Sequence, residues 1–304
     1  MTYSSGGIIQ ATDFNTRKDS VNQLWGTGSG DYGYGQSTVV SAVSAGSVVP
    51  ASDWATLIAR MSSMQQHQNN NTTGVPSQPT AGSIITYLST VDTCITTLQT
   101  NRLLSYTNSA GTATTASNAT GWVTSATRTF TITFSSGDTA RYFFNSGGYI
   151  EFNFSGTALS GNSKSTYWNS FLTSGIVNFR LYARKTTYGG TGFSPSTNLT
   201  TSGYYNLSTS ATKFFEVYDS PSAFDYTANY TTINISSNGT QGSNSDTGSV
   251  ITIQVILTDA AAEAFDDTVS GTLVGGVLLG SPETTYISST WGTPAIANTV
   301  NTQA

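Results

Sequence analysis

The sequence predicts an α+β protein, with an N-terminal helical region followed by a mainly antiparallel, β-sandwich-like domain. Apolar residues recur at helical spacing through roughly the first 115 residues. From Arg128 onward the apolar period becomes two. Between them, 111–125 is rich in Ala, Thr and Ser, the composition of a linker. The expected division is 1–110 for attachment or oligomerisation, 111–125 for the linker and 126–304 for the β-rich domain. A chain of 304 residues is long enough for two cores.

The first helix starts at Thr12 or Asp13 as N-cap, puts Phe14, Val21, Leu24 and Trp25 on one face, and stops at Gly26. The run from Gly26 to Gly35 holds too much glycine for helix or strand and reads as a shaped loop. Its Gly28, Gly30 and Gly33 have dinucleotide-loop spacing but follow a helix rather than a strand, so that reading fails. Tyr32 and Tyr34 within it suit subunit contact or loop packing. A second helix begins at Ser52-Asp53, carries Trp54, Leu57, Ile58, Met61 and Met64 as a stripe, and is expected to fray over 65–71 before Pro76.

The third helix spaces Ile84, Leu88, Val91, Ile95, Leu98 and Arg102 in a heptad pattern, with Cys94 beside the seam. It reads either as a helix packed within a small helical domain or as a short self-associating coiled coil.

In the second half, Arg128, Phe130, Ile132 and Phe134 alternate with threonines as a half-buried strand. Ser135 to Asp138 reads as a turn. Tyr142-Phe-Phe144 and Tyr149–Phe154 read as a hairpin joined by Asn145-Ser-Gly-Gly148. Trp168, Phe171 and Leu172 mark a short helix over Ser165–Leu172. Further strands are expected at Val177–Ala183, Lys213–Tyr218, Tyr230–Ile235, Val250–Leu257 and Thr268–Leu278, separated by turn-rich stretches such as 188–192 and 237–245.

Only 9% of the residues are charged, against about 25% in an ordinary soluble domain. Thr, Ser, Asn and Gly fill the gap, while 12% aromatics argue against disorder. Such a charge-poor surface suits a protein that packs against copies of itself or other subunits. A net charge of −5 and scattered Lys and Arg exclude a phosphate-binding stripe, so no nucleic-acid partner is expected. The single cysteine permits no intrachain disulfide. No stretch has the length of a membrane span, and 1–10 lack the pattern of a signal peptide. An exported-looking surface without an export signal fits a virion protein released when its host lyses.

No residue set builds a catalytic or metal centre, and no cofactor is expected. His67 is the sole histidine and reads as a polar or capping residue. Cys94 has no base on its helix and reads as buried packing. Asp259, Glu263, Asp266 and Asp267 form the one acidic cluster. They read as the solvated face of a short helix whose Ala260, Ala261, Ala264 and Phe265 press on the sheet. Neighbours on one such face cannot flank a glycosidic bond. The sequons at Asn118, Asn198, Asn206, Asn229 and Asn234 are expected by chance in this composition.

Two groups of residues carry a family resemblance. The first is Ile9-Gln-Ala-Thr-Asp-Phe-Asn15 with Gly26-Thr-Gly-Ser-Gly30, Tyr34-Gly-Gln36, Trp54-Ala-Thr-Leu57 and Gln66-His67-Gln68. The second is Arg141-Tyr-Phe-Phe-Asn-Ser-Gly-Gly148 with Tyr167-Trp-Asn-Ser-Phe171. In these the chain resembles virion structural proteins of tailed bacteriophages, especially T4-like phages of marine bacteria. The resemblance implies a non-enzymatic neck, tail, baseplate or fibre-associated component, assembled in the host cytoplasm and located in the virion. It would self-associate as a homo-oligomer and dock to other virion proteins, with residues up to about Ser105 anchoring it. A receptor- or glycan-binding fibre module, meeting a host-surface glycan, is the alternative. Trp25, Tyr32, Tyr34, Trp54, Leu88, Val91, Ile95 and Leu98 are the expected interface residues.

Overall fold

A computed structural model describes residues 10–80, 88–118, 121–175, 177–182, 186–189, 195–198, 207–218, 229–260 and 267–304. Ile9, Ile84, Ala183, Asn206, the turn at 190–192 and 261–266, including Glu263 and Asp266, lie outside the described residues. The fold is α+β and rich in antiparallel sheet, as the two sequence periods predict.

Three helices open the chain: α1 (Ala11–Trp25), α2 (Ala51–Asn69) and α3 (Leu88–Thr100). They pack pairwise. Phe14, Val21 and Leu24 of α1, Trp54, Leu57 and Met61 of α2, and Leu88, Val91, Ile95 and Leu98 of α3 are buried. Phe14 and Trp54 meet edge to face at 5.1 Å. The N-cap of α1 is Gln10 rather than Thr12 or Asp13, because Asp13 closes a capping box by accepting from the Gln10 amide at 2.9 Å. The expected fraying of α2 does not occur either. The helix runs to Asn69 because Gln65, His67 and Gln68 are buried, and it ends on Asn70 in the left-handed conformation.

Two sheets follow. The chain passes through β1 (Asn108–Ala110), β2 (Thr114–Asn118), β3 (Ser125–Thr133), α4 (Gly137–Asn145), β4 (Tyr149–Asn153), β5 (Ala158–Leu159) and α5 (Ser163–Ser170). A π-helical turn, Phe171–Gly175, extends α5. Then come β6 (Val177–Leu181), β7 (Thr186–Gly189), β8 (Pro195–Asn198), β9 (Thr212–Tyr218), β10 (Tyr230–Ser237), β11 (Val250–Thr258), β12 (Gly271–Pro282) and β13 (Ala295–Gln303). One sheet has the order β1-β12-β4-β6-β7, with β2 and β5 also paired to β12. The other runs β13-β3-β11-β10-β9-β8. All described pairings are antiparallel.

The sheets face each other through aromatic rings, with Phe130 of β3 6.0 Å from Phe152 of β4 and Phe179 of β6 5.7 Å from Phe215 of β9. The strict alternation of β11, with Ile251, Ile253, Val255 and Leu257 buried, is that of a strand with one face on this core. One continuous cluster of buried apolar side chains joins the helical region to the sandwich.

Two expectations need correction here. The hairpin read through Tyr142–Phe144 is instead α4. The Ser136 hydroxyl accepts from the Thr139 amide at 3.1 Å while the Thr139 hydroxyl accepts from the Ser136 amide at 2.9 Å, so the stretch read as a turn at 135–138 caps a helix. The three consecutive aromatics Tyr142, Phe143 and Phe144 are all accommodated because α4 is buried on nearly all sides. Gly147, with φ +87°, breaks the helix before β4. The stretch read as a linker contains β2, whose Thr114 to Asn118 pair with Val277 to Leu273 of β12. Its β-branched threonines suit an edge strand as well as a loop.

Candidate functional site

The chemistry-bearing side chains gather where the helical region meets the sandwich, around the glycine loop. Gly28, Gly30, Gly33 and Gly35 all take positive φ. A Cβ at Gly33 would stand 2.2 Å from the Thr27 carbonyl, and one at Gly35 would stand 2.4 Å from the Tyr142 ring. The loop folds back on the end of α1, with the Tyr34 amide donating to Leu24 O at 2.8 Å and the Gln36 amide to Trp25 O at 2.9 Å.

Helix α4 grips this loop by its carbonyls. Asn145 Nδ2 donates to the carbonyls of Gly30, Tyr32 and Gly33 at 3.1, 3.0 and 3.3 Å. One turn earlier, Arg141 Nη1 donates to the Tyr32 carbonyl at 2.8 Å. The buried Arg141 guanidinium also lies 3.3 Å from Asp138 and 3.4 Å from Asp246. Positions i and i+4 share a helix face, so the motif that looked like a hairpin is a two-residue clasp.

The loop delivers Tyr34 into the interior. Its hydroxyl donates to Arg102 O at 2.9 Å and accepts from Gln68 Nε2 at 2.8 Å. Burial pushes its phenol well above the ordinary value, against the opposing pull of the Gln68 hydrogen bond and the Arg102 charge. The Tyr34 ring meets His67 edge to face at 5.2 Å.

His67 Nε2 sits 3.1 Å from the Ser146 carbonyl, and Nδ1 sits 2.5 Å from Glu283 Oε1. A carbonyl only accepts, so Nε2 carries a proton. A further proton lies between Nδ1 and the carboxyl group. Both ring nitrogens are thus occupied, and neither offers a lone pair to a metal or substrate. Glu283 Oε2 accepts the amides of Thr285 and Tyr286 at 2.7 and 3.2 Å. Burial pushes the Glu283 carboxyl up, but the His67 hydrogen bond and charge and these amides together bring it below its ordinary 4.5. Beyond Glu283, Gln36 exchanges hydrogen bonds of 2.9 and 3.0 Å with the backbone of Ser288, and the Thr290 hydroxyl donates to Tyr34 O at 2.6 Å.

Of the expected interface residues, Tyr34, Trp54, Leu88, Val91, Ile95 and Leu98 are buried in this chain's own core. Trp25 is buried under the guanidinium of Arg60, 5.0 Å from its ring, and Tyr32 is half-buried beneath Arg102 at 4.7 Å. The heptad side chains described on α3 face α1 and α2, and a subunit contact needs other residues. Cys94 is buried, which pushes its thiol up to about 11 and away from nucleophilic use. Asp259 was expected in water but forms a buried pair with Lys164 of α5 at 2.6 Å, which corrects that expectation; Asp267 is exposed.

Sequence reading missed Glu283 as the partner of His67, and Arg141 and Asn145 as partners of the loop. For Arg141 and Asn145 the signal was Arg and Asn four apart in a segment that Ser136 caps; for Glu283 there was none. Arg128 was read as part of a strand's apolar alternation, and it does point inward. It is 1% exposed, donates from Nη1 to Thr127 O at 3.1 Å, and among the described residues leaves Nε and Nη2 without an acceptor.

A hollow of about 370 Å³ lies near the start of β13, lined by Thr112, Ser281, Thr284, Ser289, Trp291 and Ile296 among others, none of them charged. Among the described residues no three His, Cys, Asp or Glu side chains gather as a metal site. No described helix is long and apolar enough to cross a membrane. Fold and site together define an α+β protein whose helical region and sandwich are fastened by buried polar side chains. No family model, curated protein or solved structure matches the chain.

Proposed function

We propose that this chain is a non-enzymatic structural component of a tailed-phage virion, in the neck, tail, baseplate or fibre, which self-associates and docks to other virion proteins. The observation that carries the reading is how its reactive groups are engaged. His67 has both ring nitrogens bonded, Cys94 is buried with a raised thiol, Arg141 is clamped between two carboxylates and Asp259 is held by Lys164. Groups engaged in this way hold a shape. The charge-poor, Thr/Ser/Asn-rich composition suits life in an assembly, where colloidal repulsion matters less. The residues resembling phage virion proteins include Tyr34, His67, Arg141 and Asn145, the same side chains that build the fastening.

Quantitative mass spectrometry of purified particles of a phage encoding this chain tests the proposal. The chain should be present in a fixed number of copies per particle, and its absence from purified particles would refute the assignment. The alternative, a receptor- or glycan-binding fibre module, draws on the uncharged, hydroxyl-bearing hollow beside β13. Saturable retention of the chain on a glycan array, lost in Trp291→Ala, would favour it.

A further inference from the structure

We infer that the outer edge of β13 pairs antiparallel with the same strand of a second copy of this chain, joining two six-stranded sheets across a two-fold axis. The inference rests on the self-association proposed above and names the surface that performs it.

Strand β13 is nine residues long and forms the end of its sheet, with β3 on its inner side. Ala295, Ala297, Thr299 and Asn301 are exposed, and although β2 of the other sheet packs near β13, no described strand pairs with its outer side. An open edge presents a row of unpaired amides and carbonyls, and proteins that must stay apart blunt it with charge, proline or a bulge. Residues 295–303 contain no charged residue and no proline. The one blunting feature is a bulge at Thr299, where the register with β3 passes from Asn298–Phe130 to Val300–Thr129. The other described edge strands are shorter: β1 spans three residues, β2 five, and β7 and β8 four each, with Pro195 in β8.

The chemistry of the strand selects its occupant. A partner strand bearing charge would find no countercharge on β13, whereas a second β13 is neutral throughout and places no like charges opposite one another. The two strands match in length, and Thr299, the middle residue of the nine, falls on the two-fold axis. Such an interface is self-complementary and closed, because both copies use the same edge.

The test introduces charge at that axis in the full-length chain. Thr299 is exposed and its side chain makes one long hydrogen bond, 3.3 Å to the Thr129 carbonyl, so Thr299→Lys and Thr299→Glu should fold as the wild type does by circular dichroism. In light scattering the wild type should show twice the 31.9 kDa chain mass or a multiple of it. Each variant alone should lose half that mass, and an equimolar mixture of the two should regain it. Thr299→Cys should form an intermolecular disulfide on mild oxidation, since residues opposite one another on antiparallel strands lie within bridging distance. If the wild type assembles and both charged variants assemble equally well, β13 is not the contact, although self-association stands. Dispersal of each variant without recovery in the mixture would contradict the two-fold pairing. A wild type that stays at 31.9 kDa at every concentration overturns the pairing and the self-association together.

Discussion

Single side chains decide where this molecule is vulnerable. The His67–Glu283 pair is buried on both sides, so truncating one partner strands the other in a low-dielectric interior. Glu283→Ala should cost about 3–5 kcal/mol in urea denaturation. The sign of the accompanying pH effect follows from the lowered carboxyl. Above the ordinary 4.5 the carboxylate is ionised in folded and unfolded chains alike and its full contribution is present. As pH falls through the depressed folded value, that contribution disappears. The wild type should therefore lose stability on acidification below about 4.5, and Glu283→Ala should lose less over the same window. Arg128 poses the opposite case. Burial lowers its pKa, and two of its nitrogens donate to nothing described. Arg128→Met keeps the stem and removes the charge, so thermal melting should show a more stable protein, by about 1–3 kcal/mol. A less stable variant would mean that the guanidinium has an acceptor after all.

At the scale of elements, α4 and the glycine loop form one device. Removing the Asn145 amide takes that donor from the Gly30 and Gly33 carbonyls, while Tyr32 O keeps Arg141, and Asn145→Ala should cost about 2–3 kcal/mol. Gly35→Ala forces a Cβ into the Tyr142 ring at a positive φ and should cost at least as much. Ser136→Ala, which removes only the cap, should cost about 1 kcal/mol. These elements were legible to different degrees. α1, the stripe of α2, the short helix around Trp168 and the alternating strands β3 and β11 follow directly from apolar period. α4 does not, because burial on nearly all sides erases helical periodicity, and three consecutive aromatics in Tyr142–Phe144 satisfy either structure. β2 and β13 escaped because exposed, threonine- and asparagine-rich edge strands resemble loops in composition. The site was least legible: Glu283 lies more than 200 residues from His67, and nothing local to either residue announces the other.

At the scale of the whole molecule, the chain places a three-helix cluster against a two-sheet sandwich and fastens them with polar groups. Gln36, Tyr34, His67 and the loop carbonyls reach from the first part to Ser288, Thr290, Glu283, Arg141 and Asn145 in the second. These hydrogen bonds span up to 256 residues of sequence, and the apolar core is continuous beneath them. The central claim is that helices and sandwich form one cooperative body. Hydrogen exchange of the native protein at increasing denaturant tests it most directly, since it reads the opening free energy of each element separately. The account predicts that the slowest amides of α2 and those of β3 and β11 converge on one opening free energy and lose protection together. Amides of α1, α2 and α3 that exchange through a separate, lower-energy opening while β3 and β11 stay protected would contradict it.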